Sequence, residues 1–303
     1  LKPKLFTMKT LNILILLTSF IVLACSSGKK SAEEATTEVV EVKPAMNLVK
    51  KWETDSTLTT VESVIYDGER GVIYASCISG TPDEKDGVGF IAQLDKEGNI
   101  IDNEWITGLD APKGMAIVDN SLFVTDIDEV VEIDIENGEI LMTYPVENAK
   151  FLNDAASDES GVVYFSDTGG GQLVYIENGE VAVFKDSVSS PNGLFVDGNS
   201  LVTAYWDEQK IKTIDMESGE ITEMAMGIEN PDGVEAIGDG GYLVSSWNGK
   251  VSYVSPEGEV VLLLDTSGDE INAADIEFIP EENILLVPTF FDNRVVAYEL
   301  VME

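Results

Sequence analysis

No histidine occurs in the 303 residues, which removes Ser-His-Asp and Cys-His nucleophiles, His-ligated zinc and the usual neutral-pH proton shuttle. Cysteine is almost absent: only Cys25 and Cys77 are present. Cys25 closes an apolar leader, so Cys77 has no partner for an internal disulfide and is expected to pack in the core. Basic residues number 18 against 56 acids, a formal net charge of −38. A field of that sign repels phosphate backbones and anionic headgroups, so nucleic acid is not an expected partner. Chemistry is left to carboxylates, amides, hydroxyls, lysines and a bound metal.

Long apolar runs are equally rare. The exception is residues 11–24, which follow Met8 and Lys9 and are interrupted only by Asn12, Thr18 and Ser19. The run is short for a mature span and reads as a secretory signal. It ends Val22-Leu23-Ala24-Cys25, which resembles a bacterial lipobox with Cys25 as the lipidated residue. The expected organisation is a lipoprotein signal over 1–25, a solvated tether over 26–46 and one folded domain over 47–303. Such a protein is held at the cell envelope by its lipid alone, with the outer membrane, facing the periplasm, favoured by Ser26 after the Cys.

Five glycines, Gly98, Gly138, Gly179, Gly219 and Gly258, recur at spacings of 40, 41, 40 and 39 inside phrases such as Glu136-Asn137-Gly138-Glu139. Each reads as a hairpin turn, where glycine supplies the positive φ that a Cβ would oppose. A second series opens each unit at Glu62, Lys113, Asn153, Asn192, Asp232 and Ala274, spaced 51, 40, 39, 40 and 42. The long first interval holds an insertion near Gly80–Gly89. Six strand-rich units of this length predict an all-β, six-bladed β-propeller of four-stranded antiparallel blades. The sixth unit lacks residues for a fourth strand, so the N-terminal strand near Leu48–Glu53 is expected to pair with the last blade and close the ring.

In such a ring the lead residues surround one mouth of the central channel. Glu62, Lys113, Asn153, Asn192 and Asp232 then converge, with Asp126, Thr168, Trp206, Trp247 and Phe290 at the ends of second strands forming a pocket wall. Carboxylates and amides suit a hard divalent cation, Ca²⁺ first, with Mn²⁺, Zn²⁺ or Mg²⁺ as alternatives. Lys113 opposes such an ion, and three readings stay open: it swings outward to an anionic substrate, it replaces the metal between Glu62 and Asp232, or it pairs with Asp126 or Asp154. Gly169-Gly170-Gly171 is not a phosphate loop, since no Lys-Ser/Thr or helix pattern follows.

The chain resembles the gluconolactonase/regucalcin-like (senescence marker protein-like) family, related to strictosidine synthase-like propellers, most specifically in Pro191-Asn192-Gly193-Leu194 and Pro231-Asp232-Gly233-Val234. The resemblance implies a divalent metal held by Glu62, Asn192 and Asp232. It also implies that Asn153 positions substrate or its water, and that a lactone or ester is hydrolysed. Asp232 is the expected proton acceptor, and Lys113, Asp126, Thr168, Trp206, Trp247 and Phe290 are the expected substrate contacts. The arginine that several sugar lactonases carry two positions before the third-blade Asn is Phe151 here, which argues against an aldonolactone. The rival expectation is a non-catalytic propeller binding a ligand or protein at the envelope. Either would act on its small molecule or partner as a monomer.

Overall fold

The computed structural model describes residues 46–302. The expected signal, tether and lipidated Cys25 lie outside the described residues, apart from Met46, which opens the first strand. Twenty-four strands run in chain order from β1 (Met46–Glu53) to β24 (Val295–Met302), and they form six four-stranded antiparallel sheets. Five blades are built from consecutive strands; the sixth combines β22 (Glu277–Ile279), β23 (Ile284–Pro288) and β24 with β1. Pairing runs from Met46 opposite Met302 to Glu53 opposite Val296, so the first strand closes the ring and covers an otherwise open edge.

The sequence pattern follows from the layering. Second strands such as β11 (Val163–Asp167) and β19 (Tyr242–Ser246) are buried throughout, because blades cover both of their faces. Outer strands such as β9 (Glu139–Pro145) are mostly exposed. All five repeating glycines have positive φ, between 65° and 83°, and each joins the third and outer strands of its blade as expected. Apolar side chains interlock between neighbouring blades; one cluster joins Val64, Cys77 and Leu94 of the first blade to Leu286 and Ala297 of the last. Cys77 is fully buried there, and burial pushes its thiol well up, so it packs as a protonated side chain.

Candidate functional site

Five innermost strands share one irregularity that explains the site. Pairing slips between Val61 and Ser63 in β2 (Val61–Asp67), Pro112 and Met115 in β6 (Pro112–Val118), and Leu152 and Ala155 in β10 (Leu152–Ser157). The same slip falls between Pro191 and Leu194 in β14 (Pro191–Asp197) and Pro231 and Val234 in β18 (Pro231–Ala236). A bulge frees a residue from the ladder and re-aims its side chain. The freed positions are those of Glu62, Lys113, Asn153, Asn192 and Asp232. Glycine follows at 193 and 233 because adjacent inner strands come very close: a Cβ on Gly193 would overlap the Asp232 carbonyl, and one on Gly233 the Ile276 amide. Neither glycine has positive φ, so close approach rather than turn formation requires them.

Glu62, Lys113, Asn153 and Asp232 line one cavity of about 300 Å³. All four are nearly inaccessible and form its floor, while Trp206, Trp247 and Phe290 line the wall above them, with Thr168. Asn192 stands behind the floor and donates from Nδ2 to Asp232 Oδ1 at 2.9 Å. Thr168 donates to the Pro191 carbonyl at 2.6 Å and accepts from Asn153 Nδ2 at 3.4 Å, which directs the Asn153 amide. Thr125 Oγ1 donates to the Asn153 carbonyl at 2.5 Å, so a second-strand hydroxyl pins the next blade's lead residue.

Asp126 departs from the expected wall position. Its carboxylate turns back to accept from the amides of Asp110 at 2.8 Å and Ala111 at 2.6 Å, so it braces the loop before β6. Lys113 also departs from all three readings. It is 1% exposed, donates to the Ala111 carbonyl at 2.8 Å and lies 4.4 Å from the Phe151 ring centroid. Among the described residues no carboxylate lies within ion-pair distance of it. Burial pushes its amine down to about 8, against the opposing pull of Glu62 and then Asp126.

The floor is acidic and its side chains are desolvated. Burial raises Glu62 well above the usual carboxylate range, with the charges of Asp232 and Asp275 adding to it and Lys113 opposing. Asp232 is raised well above its range by burial and then by Asp275, against the hydrogen bond from Asn192. Glu62 Oε2 is buried with no hydrogen-bond partner. An unpartnered buried carboxylate oxygen beside a second carboxylate calls for a proton or a cation. Among the described residues no group of three or more acid, Cys or His ligands is poised for a metal. Two carboxylates and an amide nonetheless fit a hard cation that keeps water or substrate in its shell, and they do not fit zinc's usual Cys and His ligands.

Beyond the floor a second cavity of about 330 Å³ continues down the channel and is lined by Asp154, Glu235, Asp275 and Glu277. Ser63 Oγ donates to Asp275 at 2.7 Å, and burial together with the neighbouring Asp275 charge raises Asp154 well above the usual carboxylate range. Burial pushes Asp275 up to about 6 and Glu277 up to about 8. The sequence reading did not single out this acid belt, nor the role of Phe151 as a cavity wall. The two-residue spacing of Asp275 and Glu277, which puts both on one side of an extended segment, is the signal that would have shown the belt.

No protein-family model matches the sequence, and no curated protein matches it. Solved structures resemble it in fold. A gluconolactonase from Xanthomonas campestris superposes with a TM-score of 0.66 at 16% identity, covering 84% of this chain and 89% of that one. A catalytically inactive His-to-Ala form of virginiamycin B lyase from Staphylococcus aureus, with quinupristin, gives 0.61 at 16% identity over 86% and 100%. A streptogramin B lyase gives 0.61 at 13% identity over 85% and 98%. At these identities the likeness shows the six-bladed architecture.

Proposed function

We propose that this chain hydrolyses a lactone or related ester in the cavity floored by Glu62, Asn153 and Asp232. The observation that carries the reading is the convergence of two desolvated carboxylates and an oriented amide, from three blades, on one pocket with an unpartnered Glu62 oxygen. A divalent cation, Ca²⁺ first, would be held by Glu62, Asn192 and Asp232 and would supply Lewis-acid polarisation of the carbonyl. Asn153 positions the attacking water or the substrate carbonyl. Asp232, with Oδ1 held by Asn192, takes the proton from that water as its oxygen bonds the carbonyl carbon. The same proton passes to the departing alkoxide when the C–O bond breaks, giving a hydroxy acid from a lactone. Aromatic walls exclude bulk water and strengthen these electrostatic effects.

The gluconolactonase neighbour supports a lactone substrate. The lyase neighbour's inactive form carries a His-to-Ala change, and this chain has no histidine, which favours hydrolysis over a lyase reaction. A second reading, a binding propeller without turnover, is favoured by Lys113, whose charge near Glu62 weakens the case for a cation. Acid release in a pH-stat from a panel of lactones and esters with Ca²⁺ separates the two. Hydrolysis is expected, reduced roughly 10² to 10⁴-fold in Asp232→Ala. No release from any compound would leave the binding reading. We also place the protein at the bacterial envelope through lipid on Cys25; palmitate labelling lost in Cys25→Ala is the expected result, and unchanged labelling would refute it.

A further inference from the structure

The upper wall of the cavity says what kind of acyl compound it receives. Trp247 meets Phe290 at 5.7 Å and Phe291 at 6.0 Å between ring centroids, both edge to face, and Trp206 at 6.5 Å; Phe290 and Phe291 meet at 4.7 Å. Phe290 is buried with φ near 50°, a left-handed conformation that is costly for a bulky side chain. That strain presents the next residue, Phe291, at the entrance, where it is 64% exposed, the most exposed large apolar side chain among the described residues. A strained backbone that holds an aromatic ring in water beside a cavity marks a contact surface for an apolar ligand.

Hydrogen-bonding capacity points the same way. Lys113 Nζ, at the floor, gives one of its three N–H groups to Ala111 and sits against the Phe151 ring. The Asn153 amide nitrogen and the Thr168 hydroxyl are paired with each other and with Pro191. Free polar capacity is therefore concentrated at the floor, and the wall adds only the Thr60 hydroxyl and the two indole N–H groups. A compound with a hydroxyl on nearly every carbon would bury several of them unpaired against the aromatic wall, a heavy penalty. A cavity of about 300 Å³ lies at the compact end of small-molecule sites.

We infer that the cavity selects a compact lactone or ester whose acyl part is apolar and ring-sized, an aromatic fused lactone being the type, and turns away polyhydroxylated lactones. The inference takes from the proposed hydrolase only that this cavity receives an acyl compound.

The test uses the full-length protein and two non-hydrolysable probes, 3,4-dihydroquinolin-2-one and gluconolactam, followed by quenching of indole fluorescence from Trp206 and Trp247. The aromatic lactam is expected to bind at least about tenfold more tightly than gluconolactam, and Phe291→Ala to remove roughly tenfold of that affinity. Because Phe291 is exposed, the variant should melt with wild type. Equal or tighter binding of gluconolactam, no binding of either lactam, or a Phe291→Ala protein that binds as wild type would overturn the inference. Turnover of dihydrocoumarin is measured in parallel. Lactam binding without turnover supports this ligand class while removing the hydrolase, whereas turnover of gluconolactone in preference to dihydrocoumarin keeps the hydrolase and overturns the ligand class.

Discussion

Replacing Glu62 by Gln keeps the shape of the floor and removes one of the two charges that would hold a cation. Binding to the folded state alone stabilises it by RT ln(1 + [L]/Kd), which is about 2.7 kcal/mol at one hundred times Kd. In a domain of this size each kcal/mol moves the melting temperature by about 2–4 °C, so saturating Ca²⁺ should raise the wild-type melt by about 5–11 °C. Without the ion, wild type keeps an unpartnered, desolvated Glu62 oxygen beside Asp232, a strain that Gln relieves. Glu62→Gln should therefore melt at or above apo wild type and gain under about 2 °C from Ca²⁺. Lys113→Met, which removes the positive charge acting on Glu62, should lower the Ca²⁺ concentration needed for half the shift. Scanning calorimetry with chelator and with titrated Ca²⁺ or Mn²⁺ reads all three. A wild-type melt indifferent to millimolar metal, or an equal gain in Glu62→Gln, would refute the reasoning.

The channel acids set a pH dependence. A carboxyl raised in the folded state contributes stability below its unfolded value near 4 and loses it as pH rises through the folded value, about 6 for Asp275 and about 8 for Glu277. In chelator, the melting temperature should fall between pH 5 and 8, and Glu277→Gln should flatten the upper part; a rise over that window would contradict the burial account. Gly193→Ala should cost at least about 2 kcal/mol in urea unfolding, because the methyl meets the Asp232 carbonyl, and a neutral result would mean the inner strands can part. Deleting residues 46–53 removes the strand that closes the sixth blade and should yield an aggregating, non-cooperative protein; a sharp, reversible melt would show that the ring holds without it.

The period near 40, the hairpin glycines and the missing last strand made the ring legible, because they are properties of single strands and turns repeated at fixed spacing. The lead residues were legible for the same reason, as one register position read six times. Asp126 was misread because a strand-end carboxylate can face the channel or its own blade's entry loop, and two free amides decided the matter. Lys113 escaped because its partner is a backbone carbonyl two residues away, which no side-chain pattern encodes. Phe151 and the Glu235–Glu277 belt depend on contacts across blades, which spacing within one unit does not specify. The need for glycine after Asn192 and Asp232 also lies across blades, because the space it leaves is claimed by the neighbouring inner strand.

Hydrolysis in ¹⁸O-labelled water tests the central claim most directly, since water attack at the carbonyl places one label in the product carboxylate while a lyase elimination places none. The account predicts a singly labelled acid from an apolar lactone with wild-type protein and Ca²⁺, and its loss with Asp232→Ala. Unlabelled product, or labelled product formed equally by the Asp232→Ala protein, would contradict it.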